Sequence, residues 1–512
     1  MRGALLVCGT HSDAGKSVLT AGICRWLHRQ GVRVAPFKAQ NMSLNSVVTA
    51  GGAEIGRAQA AQAAAAGVEP EAAMNPILLK PSGERHSQVI VMGRPYADVD
   101  ARSYRPLKAQ LRPVVAGALA DLRTRYDVVV CEGAGSPAEI NLRDDDLTNM
   151  WLARQAALPT LLVGDIDRGG VFASLFGTLA VLSSDDQAQV AGFVINKFRG
   201  DDSILAPGLD QLKALTGRDT LGVLPFRDDL WLDVEDSLAL ESRRPELDGW
   251  AGGDGIETLE VAVLRLRWIS NFTDADALSS EPGVRVRFTR SPADVARADL
   301  VIVPGTKATV EDLERLRADG LDRALIDRAH AGDPILGVCG GYQLLGRTID
   351  DDVESGRGTV DGLHLLPVTT RFAPDKLLRR RAGRSPWLGT EASGYEIRHG
   401  RVISEGGEAP LVSDDGEPEG CLAGSVLGTS WHGVLEHDAF RRTLLRWVAV
   451  ARGRSFTPGT AAFADVRERR LDTLGDLIAG HLDTARLTAL IEHGVPANLP
   501  TIATEVRACC AS

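Results

Sequence analysis

The ten residues LGVCGGYQLL (336–345) admit few local folds. A short apolar run ends at Val338 and leads into Cys339. Gly340 and Gly341 follow, and Leu344 and Leu345 open a helical pattern. A strand, a sharp turn and a helix with the reactive side chain at the turn make a nucleophile elbow. Gly337, Gly340 and Gly341 suit it because a tight turn leaves no room for side chains. Cys339 then stands at the positive end of a helix, which favours thiolate over thiol. An elbow needs a base. The stretch GTSWHGVLE (428–436) follows a short apolar run and carries His432, the leading candidate to take the thiol proton. The stretch LVIVPGTK (300–307) predicts a buried strand ending in a Pro304–Gly305 turn. A backbone N–H there would join that of Gly340 in stabilising an oxyanion.

A chain of 512 residues is too long for one ordinary domain, so two or three are expected. The net charge of -11 argues against general nucleic-acid binding, which calls for a basic patch. No uninterrupted apolar run reaches the roughly 18 residues of a membrane span. The opening MRGALLVCGT reads as a first core strand rather than a signal peptide. The seven cysteines are odd in number and scattered, with only Cys509 and Cys510 adjacent. None has metal-ligand spacing, so a reduced cytoplasmic protein is expected.

Residues 4–8 form an apolar run. It is followed by GTHSDAGKS (9–17) and a helical pattern through Leu19, Ile23, Trp26 and Leu27. This predicts a phosphate-binding loop between a strand and a helix. Backbone N–H groups and the helix start cradle phosphates, Lys16 offsets their charge, and the Ser17 hydroxyl can ligate Mg²⁺. The spacing is offset, with Thr10 in the usual first-glycine position and Gly15 before the lysine. Further apolar runs end at Lys38, Lys80, Glu132, Asp165 and the pair Asn196–Lys197. Polar residues recurring at strand tips predict a parallel sheet with its active edge at the C-terminal ends. Glu132, beside glycines at such a tip, can ligate Mg²⁺ directly or through water. The amide-rich stretch 39–46 fits either a solvated turn or a substrate-facing loop. Residues 57–66 form an alanine-rich helix ended by Gly67.

The polar, glycine-rich stretch 245–255 predicts a linker, and a second α/β unit begins near Glu257. Residues 372–392, rich in arginine and turn formers, predict a flexible surface loop. Leu471, Leu474, Leu477, Ile478 and Leu482 predict an amphipathic helix in the tail. The expected division is 1–250, 256–455 and a helical extension over 456–512.

The cysteine, histidine and glycine turn in that order resemble the class I (triad) glutamine amidotransferases. These release ammonia from glutamine through a cysteinyl thioester. Most of them place a glutamate two residues after the histidine. Here that position is Val434 and the nearest acid is Glu436, so the third triad position is open and a Cys339–His432 dyad is the expectation. The offset loop, the strand-end lysine and the Glu132-Gly133-Ala134-Gly135 tip resemble dethiobiotin synthetase. The fusion resembles the cobyrinate-amidating synthetases of cobalamin biosynthesis. PFKAQNMSLNS, EIGRAQAAQA, NPILLKP, DIDRGGVFAS, ISNFTDADAL and GVCGGYQLLG are similar to the cobyric acid synthase family across nearly the whole chain. The sister family, cobyrinate a,c-diamide synthase, shares the architecture but not the QNMS-type loop.

This resemblance implies an α/β fold: an N-terminal P-loop-type parallel sheet domain and a C-terminal class I glutamine amidotransferase-like domain. It implies ATP- and glutamine-dependent amidation of the b, d, e and g carboxylates of adenosylcobyrinic acid a,c-diamide. Thr10, Gly15, Lys16 and Ser17 would hold ATP, and Ser17 and Glu132 would hold Mg²⁺. Lys38 would orient the carboxylate or the transferring phosphate, with Asn196 and Lys197 bordering the adenine. Cys339 and His432 would supply ammonia. The implied partners are glutamine and a corrinoid carboxylate, without nucleic acid or membrane, and homo-oligomer formation stays open. The alternatives are the a,c-diamide synthase and a ParA-like ATPase whose amidotransferase half is only a scaffold.

Overall fold

Runs of valine, leucine and isoleucine buried along their whole length need helices on both sheet faces, and the chain supplies them in alternation. A computed structural model describes residues 1–227 and 257–502. The linker expected over 245–255 and the cysteines at 509 and 510 lie outside the described residues. In the first unit six strands form one parallel sheet. Their order across the sheet is Asp219–Pro225, Val190–Phe198, Thr160–Asp165, Gly3–Gly9, Val128–Glu132 and Val34–Phe37. The phosphate-loop strand is thus central, between the strands ending in Glu132 and Asp165. Their C-terminal ends bring Thr10, Lys38, Glu132, Asp165 and Asn196 to one edge, as the polar strand tips predicted, but Lys80 stands outside this sheet, in Ile77–Pro81 of a separate four-stranded sheet with antiparallel pairs.

The second unit has five parallel strands in the order Val284–Thr289, Leu259–Leu264, Leu300–Val303, Ile335–Val338 and Val426–Thr429. A short antiparallel edge strand, Cys421–Ala423, completes the sheet. The elbow strand therefore lies between the strand leading to Pro304–Gly305 and the strand leading to His432.

Two expectations are corrected. Residues 372–392 are not a flexible loop: they belong to a long antiparallel hairpin of Val368–Ser385 and Thr390–Ser404. Arginines occupy strand positions where apolar residues would normally signal a sheet. Arg381, for example, pairs with Glu396, Asp415 and Glu417, and arginine stems supply apolar cover while the charged heads find partners. The stretch 39–46 is not a solvated turn either. Gln40–Met42 pairs with Ile77–Pro81, Ser46–Val48 pairs with Glu54–Gly56, and Asn41, Asn45 and Ser46 are buried.

The expected tail helix forms as Phe463–His481 and packs its apolar stripe on the first unit, while its first turns touch the second through the Phe463 N–H on Asp438 Oδ1 at 3.0 Å and Arg467 on Glu436. Leu471, Leu474, Leu477 and Ile478 share a core with Leu19, Ile23 and Leu27 of the phosphate-loop helix Lys16–Arg29. The approach is close at Gly22, where a Cβ would lie 2.8 Å from Ile478 Cγ1. Arg25 pairs with Glu468 and Asp472, and Arg29 with Asp476. The following helix, Thr484–His493, covers the first strand through Leu487, Leu490 and Ile491. The tail thus completes one face of the first sheet. Ile478→Ala is expected to destabilise the first unit by about 2–5 kcal/mol, read by calorimetry as a lower temperature for the transition that bound nucleotide protects.

Candidate functional site

Cys339 has φ 51° and ψ -108°, a backbone conformation that a residue with a Cβ rarely adopts. The chain holds it there from both sides. The Cys339 N–H donates to Thr429 O at 2.8 Å, and the helix Gly340–Leu345 starts immediately after it. A Cβ at Gly341 would lie 1.8 Å from Val303 O, so only glycine lets the elbow meet the neighbouring strand. The Cys339 sulfur lies 3.8 Å from the carbonyl oxygen of Ile397 on the long hairpin.

His432 adjoins that sulfur and is fixed on three sides. Its Nδ1 is 2.7 Å from Asp274 Oδ2, while the Gly433 N–H donates to Asp274 Oδ1 at 2.8 Å. The Tyr395 ring stacks on it at 5.5 Å between centroids and 28° between planes. Backbone hydrogen bonds of 2.9 Å run both ways between residues 395 and 432. Burial disfavours the charged imidazole, but the Asp274 carboxylate and the Cys339 sulfur outweigh it and raise the pKa to about 10. With Nδ1 taken by Asp274, Nε2 is the nitrogen left for the sulfur. The Pro304–Gly305 turn lies against the same ring, since a Cβ at Gly305 would sit 2.9 Å from His432 Cε1.

The dyad expectation is corrected here, because an acid does contact His432. It is Asp274, 158 positions earlier, in the short helical turn Phe272–Ala275. Glu436 points elsewhere and pairs with Arg57 and Arg467. The usual two-residue spacing concealed Asp274. The signal available was an acid ten residues beyond the end of Leu259–Leu264, a neighbour of the strand Leu300–Val303 that leads to Gly305.

At the edge of the first sheet Glu132 is fully buried and accepts three donors. Ser17 Oγ is at 2.8 Å, Lys38 Nζ at 3.0 Å, and the Gln62 side-chain amide is the third. Burial would raise its pKa, but Lys38, Gln62 and Ser17 together hold it below the ordinary carboxylate range. Lys16 Nζ donates to the carbonyls of His11 at 3.1 Å and Gly135 at 3.0 Å, folding back over the loop. Gly15 has φ 103°, which lets the loop turn into the helix. Asn196 donates to Ala14 O at 3.0 Å, and Lys197 to Asp13 O at 2.8 Å and Asp165 Oδ2 at 2.7 Å. Both residues therefore clamp the backbone of the phosphate loop.

The donor set suits Mg²⁺. A hydroxyl and one carboxylate converge, the kind of sparse oxygen set that leaves room for phosphate oxygens and water on the ion. Thr10 Oγ1, buried at the start of the loop, has no protein partner and fits a phosphate or a metal-bound water.

One helix reaches both sites. Arg57, at the start of Arg57–Ala65, donates to the Tyr395 hydroxyl at 3.3 Å and pairs with Glu436, while Gln62 five residues on holds Glu132. Beside it the Ser46 N–H donates to Asn271 Oδ1 at 2.8 Å, and the Phe272 N–H to Asn45 Oδ1 at 3.2 Å. The 40–46 segment thus holds the segment that carries Asp274. A cleft of about 940 Å³ opens between the units, lined in part by Arg57, Tyr395, Arg380, Glu436 and Arg467.

Residues 5–239 match the model of the CobQ/CobB/MinD/ParA nucleotide binding domain, and residues 260–440 that of the CobB/CobQ-like glutamine amidotransferase domain. The chain is 61% identical to a cobyric acid synthase of Frankia casuarinae, covering 98% of this chain and 99% of the relative. It is 58% identical to that of Streptomyces coelicolor, again over 98% and 99%.

The raised pKa of His432 carries a sign. The folded site holds its proton more tightly than the unfolded chain. The pair therefore contributes its full stability below pH 6.5 and loses it as pH rises through about 10. Asp274→Asn is expected to flatten this alkaline loss, read as the unfolding temperature of the second unit measured from about pH 7 to about pH 10.5.

Proposed function

Since the chain belongs to the cobyric acid synthase family, we propose that it is an ATP-dependent, glutamine-hydrolysing amidoligase of cobalamin biosynthesis. It converts the b, d, e and g carboxylates of adenosylcobyrinic acid a,c-diamide into amides. The observation that carries this reading is the helix Arg57–Ala65, with one end on the His432 site and the other on Glu132.

In the second unit, assigned to 256–455, Asp274 holds His432 as an imidazolium beside Cys339, a proton donor next to the nucleophile. The thiolate attacks the side-chain amide carbon of glutamine. Backbone N–H groups of the Gly305 turn and of Gly340 face the oxygen that gains charge. His432 gives its proton to the departing ammonia and then takes one from the water that frees glutamate.

In the first unit, assigned to 1–250 with the 456–512 extension packed against it, Thr10, Gly15 and Lys16 hold the phosphates of ATP. Asn196 and Lys197 brace the loop on the adenine side. Ser17 and Glu132 would hold Mg²⁺, which would supply positive charge beside the γ-phosphate. Lys38 orients the substrate carboxylate, whose oxygen takes the γ-phosphoryl group. The acyl phosphate so formed is attacked by ammonia and expels phosphate. A bare carboxylate resists that attack because it is anionic and its oxygen leaves poorly. The five described cysteines are all free, which suits a reduced cytoplasmic setting, and among the described residues no helix is long and apolar enough to cross a membrane.

Cys339→Ala is expected to abolish amidation with glutamine while ammonium salts still support it, with products identified by mass. Loss of both activities would break the division of labour. The same assay, offered cobyrinic acid and its a,c-diamide separately, distinguishes the a,c-diamide synthase. Lys16→Ala is expected to cut ATP-dependent amidation by about 10²-fold or more and to leave glutamine hydrolysis measurable; undiminished amidation would contradict the nucleotide site. Asp274→Asn is expected to lower kcat for glutamine hydrolysis by about 10²–10⁴-fold, with ammonia-supported amidation retained.

A further inference from the structure

The carbonyl of Ile397 touches the Cys339 sulfur, and two residues further along the same strand stands His399, 7% exposed. Its Nδ1 is 3.0 Å from Ala373 O, so Nδ1 carries the proton and donates it. Nε2 is then an acceptor, buried and without a partner. Burial lowers the pKa of this ring; Glu354 opposes that effect and Lys307 adds to it, so the ring is neutral. Glu354 and Lys307 pair with each other. Lys307 follows the turn through Gly305 and Thr306. That turn lies against the elbow, where a Cβ at Gly340 would sit 2.8 Å from Thr306 N. Lys376 also bears on His399, but it is held by Glu54 and Gln88 of the first unit.

A neutral imidazole with a bare acceptor, within the field of a carboxylate, suits an ammonium group. A lysine beside that carboxylate suits a second, anionic group on the same molecule. We propose that His399, Glu354 and Lys307 bind the amino-acid end of glutamine. Its α-ammonium donates to His399 Nε2 and Glu354, and its α-carboxylate meets Lys307. The reach is appropriate: two strand residues advance about 6.6 Å, and three carbon–carbon bonds of about 1.5 Å separate the amide carbon of glutamine from its Cα. The subsite rests on the reading of Cys339 and His432 as a glutaminase, and it accounts for a buried acceptor that the triad does not use.

His399→Asn keeps a donor for Ala373 O and removes the acceptor, whereas His399→Gln restores an acceptor near the position of Nε2. His399→Asn is expected to raise KM for glutamine at least about tenfold, with the loss in KM rather than kcat, as for removed uniform binding. The probe for the lost contact is 4-carbamoylbutanoate, which is glutamine without its α-amino group. The wild type is expected to prefer glutamine by about 10²-fold or more in kcat/KM. That preference should shrink at least tenfold in His399→Asn and recover in part in His399→Gln. An unfolding temperature of the second unit unchanged from the wild type, read by calorimetry, reports that each variant is folded. Should His399→Asn fail to fold, Glu354→Gln is expected to show the same loss of preference. An active variant that keeps the wild-type KM and preference overturns the subsite alone. A folded wild type that releases no glutamate overturns the glutaminase reading as well.

Discussion

Arg57 is buried between the two units, with its guanidinium on the Tyr395 hydroxyl and the Glu436 carboxylate. A buried guanidinium requires such partners, because taking away a carboxylate that offsets a buried charge is costly. The second unit therefore cannot rotate away from the first without exposing or stranding that charge. The same helix holds Glu132 through Gln62. Its many alanines, which suggest low complexity when read alone, let it pack closely between neighbours while two polar side chains do the joining. Tyr395 carries the contact onward, since its ring lies flat on His432.

Other buried charges at this boundary follow the same rule. Glu54 is fully buried and holds both Lys80 and Lys376, one lysine from each unit. Burial would raise the pKa of Glu54, yet the two ammonium groups bring it far below the carboxylate range. The reciprocal effect leaves Lys376 at about 8, since burial disfavours its charge more than Glu54 supports it. Such clusters contribute less to net stability than apolar packing of the same volume would. Their effect is to fix one relative placement of the units, which a reaction passing ammonia between two sites requires.

Much of this was legible in the chain. The elbow around Cys339, the phosphate loop and the polar strand tips depend on local geometry, and glycine, lysine and serine at fixed offsets report local geometry directly. His432 was legible because it follows a strand in the same half of the chain. Asp274 was not, because its distance from His432 is set by the order of strands and not by sequence spacing. The 372–392 hairpin was hidden for a related reason. Its arginines satisfy their charges through acids elsewhere in the fold, so the strands lack the apolar alternation that would announce them.

The sequence by itself determined the apolar strands of the two parallel sheets, the elbow and phosphate-loop turns and the reactive groups, since each depends on residues within a few positions of one another. It also determined that the tail would form an amphipathic helix. Tertiary structure alone decided where that helix binds, which acid faces His432, and that Asn45 and Ser46 of the amide-rich segment are buried against the second unit. The physical reason is common to all three. An apolar stripe, a carboxylate or an amide states what kind of partner it needs but not which one, and the choice is made only when distant segments compete for the same buried surface.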